Sequence, residues 1–376
     1  MPVAPTPTLP TTEIFLRSPY WVTVTETNLD YVLCELRIWT GELSAEPTYA
    51  DIKLRSTGLN NTTSIDLAEF ARDFVEVIFN TGADSDAVFI SYELTIFSNG
   101  DDGVIQSRVY LTGLDGYGTF QDGVNFQWYK QVMISDINVT AYPDTSVNIP
   151  VLQKTLTGYS LQHYVGPVGN PAQLHTFHTV TGITQVQNTS NLIRYVVSSY
   201  GAVYADRILF HFSNKADEFV NINYSNCSSY GNTRVYFVNR LGCTQQVHFF
   251  GKFEVSMTAK DEDFNRNILV NGDYNSTRHQ KSILNKNGKI NITLNSGWRT
   301  EEENDTIIEM MMSEQVWMVV DSTKLGNGWT PKKSSSWTIP VNVTSNKETI
   351  KNRLNDKMIN YSFKFEAAHD WINSVR

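Results

Sequence analysis

Apolar side chains in the first hundred residues fall on every second position. Val32, Cys34, Leu36 and Ile38 alternate with Glu35 and Arg37, and Val88, Ile90, Tyr92, Leu94 and Ile96 repeat the pattern. A strand turns successive side chains to opposite faces, so this period puts one face in a core and leaves the other polar. Aromatic residues make up 12% of the chain, and Thr, Val, Ile, Tyr and Phe abound, as half-buried pleated surfaces require. The charged fraction of 18% leaves little material for long solvated helices. The predicted fold class is mainly β: two or three β-sandwich-like domains in tandem, with two short covering α-helices.

The 376 residues suffice for that organisation. Residues 1–12 are rich in Pro and Thr and read as an extended N-terminal arm. Residues 13–148 read as a β-sandwich domain with one helix. In it, residues 17–24 form an opening strand, and residues 49–56, 105–111 and 126–134 form others. Leu67, Phe70, Ala71, Phe74, Val75 and Ile78 lie three or four apart, which predicts a helix ending near Phe79. Asp66 and Glu69 fit a capping box at its start. Residues 149–255 read as a β-rich middle domain, with strands at 176–180, 192–198, 207–212, 235–238 and 246–250 separated by turn residues. Residues 256–376 read as a β-rich C-terminal domain. Asn285-Lys286-Asn287-Gly288 between two β-prone runs predicts a hairpin turn. A helix is expected from Thr300, with Glu301, Glu302 and Glu303 in its first turn and Ile307, Ile308 and Met311 as its apolar stripe. Strands at 315–320 and 358–365 close the chain.

The net charge is −9, against the clustered Lys and Arg that phosphate binding needs, so no nucleic-acid partner is expected. The charge is uneven: residues 1–150 carry 7 Lys and Arg against 20 Asp and Glu, and the remainder carries 23 against 19. An acidic solvated surface accounts for this, as do opposite faces meeting in a repeated assembly. Residues 1–7 lack the basic start and apolar core of a secretory leader. No run approaches the roughly 18–20 apolar residues of a membrane span. A soluble protein made in a cytosol, without membrane insertion, is therefore expected. The many Asn-X-Ser/Thr triplets then follow from composition.

Groups that could carry chemistry are few. His175 and His178 lie three apart in a strand-like run, where they point to opposite faces rather than to one metal. Cys227, Cys243 and His248 match no standard metal spacing and lack a fourth ligand; buried thiols or one bridge are the other readings. Asp101-Asp102 reads as an acidic turn rather than a glycosidase pair. The glycines around Asp115-Gly116-Tyr117-Gly118 lack the Gly-Lys-Ser/Thr ending of a phosphate loop. Trp329 and Trp337 flank a polar run from Pro331 to Ser336 that reads as an exposed contact loop, and the other Trp residues fit cores, interfaces or a glycan platform. No catalytic, cofactor-binding or metal-binding residue is assigned, no cofactor is expected, and the chain is not expected to be an enzyme.

Asn239-Arg240-Leu241-Gly242 leads into Phe249-Phe250-Gly251-Lys252. Residues 290–298 then precede the acidic helix start, Ser313-Glu314-Gln315-Val316-Trp317-Met318 follows, and residues 355–366 close the chain. With Arg17-Ser18-Pro19-Tyr20 and residues 65–74, this order resembles a family of virion structural proteins of tailed phages and prophages from Bacteroidetes-type bacteria. Cys243-Thr244-Gln245-Gln246 departs from the aromatic-rich run usual at that place. The resemblance supplies no catalytic or ligand residues. It implies a structural subunit of a tail, baseplate or fibre-attachment region, located in the virion and assembled in the host bacterial cytoplasm. Its implied partners are copies of itself and other virion proteins. A host-glycan or receptor-binding protein, or a capsid or collar surface protein, is the alternative; a polysaccharide depolymerase is a third.

Overall fold

The computed structural model describes residues 12–50, 52–75, 77, 79, 87–100, 102–141, 147–152, 158–165, 172–181, 193–198, 207–212, 215–224, 232–274, 277–321, 336–345 and 359–371. The fold is mainly β, and the described residues include two short α-helices, Ala68–Ala71 and Asn304–Met312. The chain forms two compact units. The first comprises Met1–Ser225, Phe237–Gln246 and Asp305–Ser313; the second comprises Asn226–Tyr236, Val247–Asn304 and Glu314–Arg376.

The alternating runs of the first unit become the centre of a six-stranded sheet. Its order is Thr12–Phe15, Val109–Leu114, Val88–Ser98, Leu29–Trp39 and Ile52–Thr57, with Val104–Ile105 added on Val88–Ser98. The register sets Cys34 opposite Leu94, Leu36 opposite Tyr92 and Ile38 opposite Ile90. Residues of one parity therefore stack on one face, and they meet Val24 and Ile65 of a second layer, the pair Trp21–Thr25 and Thr62–Asp66. The short helix Ala68–Ala71 packs into the same core through Ala68 and Ala71. The same register sets Glu35 opposite Glu93, a repulsive pair in isolation. Lys53 at 2.6 Å from Glu35 and Arg108 at 3.3 Å from Glu93 offset it.

The first unit holds a second two-layer arrangement. A five-stranded sheet runs in the order Ala172–Thr181, Gly158–Val165, Arg207–Phe212, Glu218–Tyr224 and Asn138–Ala141. The two-stranded sheet of Val147–Leu152 and Ile193–Ser198 lies against it: Val147, Ile149 and Val151 share a core with Ile208, Phe210, Val220 and Ile222. Strand Asn138–Ala141 pairs in parallel with Glu218–Tyr224, so residues on either side of position 148 share one sheet.

Five successive strands of one sheet organise the second unit, in the order Val316–Asp321, Ser336–Val343, Ile359–Ala367, Lys281–Arg299 and Phe253–Asn265. Its core is aromatic. Phe249 meets the rings of Phe363 and Phe365 edge-on, each at 6.1 Å. The ladder between Lys281–Arg299 and Ile359–Ala367 slips between Asn295 and Trp298, where Gly297 takes φ +71°. Such a bulge re-aims side chains. Trp298 ends 62% exposed, while the Ser296 hydroxyl accepts the Tyr361 N–H at 2.9 Å.

Several local expectations give way to tertiary demands. The helix expected to reach Phe79 is one α-turn followed by a 3-10 turn, Arg72–Phe74, and Val75 is already extended. The expected capping box does not form: the N-cap position falls on Leu67 without a side-chain cap, and the Asp66 carboxylate at the end of the preceding strand accepts the Ala68 and Tyr20 N–H groups, each at 3.0 Å. With β-branched residues following, a helix this short lacks the length to sustain itself. Residues 126–134 form no strand. Val132 makes an isolated bridge with Val151, the Met133 N–H bonds the Pro150 carbonyl at 2.9 Å, and the Glu218 carboxylate takes the N–H groups of Gln131 and Val132 at 2.7 and 2.9 Å. The return strand expected over 105–111 is broken into Val104–Ile105 and Val109–Leu114. Asn285 to Gly288 make no turn: the chain runs straight through them, and Asp261, Lys260 and Ala259 face Lys286, Asn287 and Gly288. A long partner strand supplies more ladder bonds than a two-residue turn could recover.

Gly242 shows where glycine is indispensable. It sits at φ +76°, and a Cβ there would come within 2.8 Å of the Asp115 backbone. Gly100 has a similar φ, +72°, with open space around it. Gly100→Ala is expected to cost about 1–2 kcal/mol, the left-handed penalty alone. Gly242→Ala should cost clearly more, because backbone must also move. Urea unfolding midpoints of the two variants measure the difference.

Candidate functional site

The most exposed part of the second unit is a two-stranded ribbon. Phe253–Asn265 ends the sheet order and pairs antiparallel with Lys281–Arg299 along its whole length. Only the half of Lys281–Arg299 from Asn291 onward also pairs with Ile359–Ala367. Gly288 and Ile290 are still buried, and over 256–265 and 281–286 the side chains lie mostly in solvent. Met257 is 44% exposed, Leu284 64% and Tyr274 77%, with Phe264, Leu269 and Ile283 also exposed. A small pair, Leu269–Val270 with Asp273–Tyr274, caps the tip. The sequence reading missed Phe253–Asn265, although Phe253, Val255 and Met257 alternate with Glu254, Ser256 and Thr258; the charged run Lys260 to Asp263 that follows has no apolar face.

Buried charges of the described residues tie elements together. In the first unit, Glu46 accepts from Arg37 at 3.3 Å, Arg108 at 3.1 Å, Ser91 at 2.8 Å and Tyr110 at 3.0 Å. Elsewhere in that unit, Glu309 accepts the Arg240 backbone N–H at 3.3 Å and lies 3.7 Å from its Nε. The Arg240 guanidinium also reaches Asp122 at 3.4 Å and stands over the rings of Phe126 and Trp128. Asp136 accepts both the backbone N–H and the hydroxyl of Thr306 at 2.6 Å. In the second unit, the Arg299 guanidinium bonds Glu303 and the His248 carbonyl, all buried. Each of these charges has its partner at hand, as a buried charge must.

The residues singled out in the sequence divide among structural roles. Asn239-Arg240-Leu241-Gly242 forms a tight turn. The Asn239 side-chain oxygen accepts the N–H groups of Leu241 and Cys243, and its amide donates to the Met133 carbonyl at 2.8 Å. Cys243 is a free thiol buried with Phe15, Trp39 and Leu152, and burial pushes it well above its ordinary range. His248 is buried in the second unit, its Nδ1 3.1 Å from Asn232 Oδ1 and its ring stacked beside Phe250. Burial, then the charges of Arg299 and Arg234, lower it to about 3, so the ring is neutral. Asp102 is exposed. Residues 172–181 form a strand that includes His175 and His178, whose side chains lie outside the described residues. Residues 1–11, Cys227, Asp101, Trp329 and the run 331–335 also lie outside them. Among the described residues no helix is long and apolar enough to cross a membrane. The partnership of Asp136 with Thr306, 170 positions apart, has no sequence signal.

No family model matches the chain, and no curated protein matches it. Among solved structures, the crystal structure of CBD12 from CALX1.2 overlaps 54% of this chain and 76% of that one. The identity is 10% and the TM-score 0.18.

Glu309 gives the buried network a measurable pH signature. Burial pushes its carboxyl from 4.5 up to about 7, and Asp136 adds to the rise against the lowering effect of Arg240. The folded state thus holds a proton there that the unfolded chain releases above pH 4.5. Stability must then fall as pH rises from 4.5 to about 7 and level off above, by on the order of 3 kcal/mol from this group. Glu309→Gln is expected to remove that fall, leaving the variant least disadvantaged at pH 8. Urea midpoints across the range, wild type against variant, provide the check.

Proposed function

We propose that this chain is a structural subunit of a tailed bacteriophage particle, in its tail, baseplate or fibre-attachment region, acting by symmetric packing on copies of itself and on other virion proteins. One observation carries the reading: the solvent-exposed end of the ribbon, residues 256–265 and 281–286, with its tip. A two-stranded ribbon is marginal in water by itself. This one presents Met257, Phe264, Leu269, Tyr274, Ile283 and Leu284 to solvent, a set of apolar groups that a lone soluble chain gains nothing by exposing. Packing against other subunits gives the ribbon a purpose. The use of buried carboxylates and guanidiniums as ties between elements favours a building block over an enzyme. The resemblance around residues 239–252 and 290–318 supports the virion setting.

A second reading, host-glycan recognition, draws on the loop that holds Phe120 and Tyr129, which are 102% and 84% exposed. Exposed aromatic rings stack on sugars as readily as on protein. Sedimentation of the full chain at micromolar concentration separates the two. The structural reading expects a discrete oligomer. A strict monomer that nonetheless binds on a glycan array would overturn it in favour of the second.

A further inference from the structure

Resting on the subunit reading, we infer that the ribbon is the surface by which one copy joins the next, the outer edge of 257–265 in one chain adding to the outer edge of 281–286 in another. The two strands carry opposite charge. Phe253–Asn265 holds Glu254, Asp261, Glu262 and Asp263 against Lys260 alone. Residues 277–290 hold Arg278, Lys281, Lys286 and Lys289 and no carboxylate. Within the chain these signs already meet: Asp261 stands opposite Lys286 in the register, and Lys281 lies 3.7 Å from Asp263.

A strand has two sides, and each of these uses one. Phe253–Asn265 is the last strand of its sheet, and Lys281 to Lys286 pair only with it among the described residues. The outer edge at Gly288 is taken, because its carbonyl accepts the Trp371 N–H at 2.8 Å. Lys289 is held by Glu366. Among the described residues the open stretch is therefore 281–286, which carries Lys281 and Lys286. On the opposite side, 257–265 spans roughly 30 Å at about 3.4 Å per residue.

Edge charges commonly serve to keep copies apart. Here the signs are opposite, so a second copy meets attraction in the pairing the ribbon itself uses. Cross-strand pairs of opposite charge stabilise such contacts, and like pairs oppose them. The apolar side chains Met257, Phe264, Ile283 and Leu284 flank the same edges and would be covered. Because the joined edges differ, the interface is head-to-tail, and copies build a closed ring or an open filament.

A charge-swapped chain tests this. Asp261→Lys, Asp263→Lys, Lys281→Glu and Lys286→Glu made together keep both ion pairs within the ribbon, Asp261 with Lys286 and Asp263 with Lys281, while reversing both edges. The swapped chain is expected to assemble with itself to the wild-type mass. Mixed with fluorescently labelled wild type at low salt, it should show energy transfer at least tenfold below that of wild type with wild type. Free mixing of the two chains would overturn the ribbon interface and leave the subunit reading standing. A monomeric wild type would remove the subunit reading itself.

Discussion

Every strand must settle the hydrogen-bonding groups along two edges and the side chains on two faces, and the architecture follows from how each is met. In the first unit the central strands Leu29–Trp39 and Val88–Ser98 are flanked on both sides. Their parity then decides which side chains are buried, since a shift of one residue would exchange the two faces. Val32, Cys34, Leu36 and Ile90 enter one core while Trp39 and Phe89 join another on the opposite side. At roughly 1.5–3 kcal/mol for each fully buried large apolar side chain, these faces dominate the stability of the sheet. Where the segment 131–133 only bridges strand Val147–Leu152, the Glu218 carboxylate takes the remaining N–H groups of Gln131 and Val132.

The buried charges obey the same accounting. Taking a carboxylate or guanidinium out of water costs several kcal/mol unless partners replace the solvent. Glu46 collects two arginines, a serine and a tyrosine, and Arg299 collects Glu303 and a carbonyl. These ties join segments far apart in sequence and fix the chain at points where regular ladders stop. Glu309 differs in degree: its burial outweighs its partners, so its proton affinity rises. The ribbon of the second unit is one place among the described residues where the edge requirement is met on one side only, and apolar side chains meet solvent there. An interaction surface built there needs no cleft and no reactive group.

Much of the β architecture was legible wherever a strand buries one face. Val32 to Ile38, Val88 to Ile96 and Ile359 to Phe365 all carry the period that their sheets use. The second helix was legible from Thr300 and its three glutamates, but not its inward face. Glu303, Thr306, Ile307, Glu309 and Met310 are buried while Ile308 is exposed, because polar partners make burial of Glu303 and Glu309 acceptable. Phe253–Asn265 was missed for a different reason: its alternation of Phe253, Val255 and Met257 is short, and the charged half from Lys260 onward has no apolar face to bury. The Asn287-Gly288 pair carries a strong local turn preference, yet a thirteen-residue partner overrode it.

The amino-acid sequence by itself determined the fold class, the parity of the one-faced strands, the acidic helix start and the split of charge between the ribbon's two strands. All of these are local, set by side-chain chemistry and by a repeat of two or 3.6 residues. Only the tertiary structure decided that the two oppositely charged strands form one ribbon with open edges. It alone also decided that Asp136 meets Thr306 and that Arg240 meets Glu309. Such contacts join residues far apart along the chain, and no short-range preference encodes which distant backbone will lie alongside.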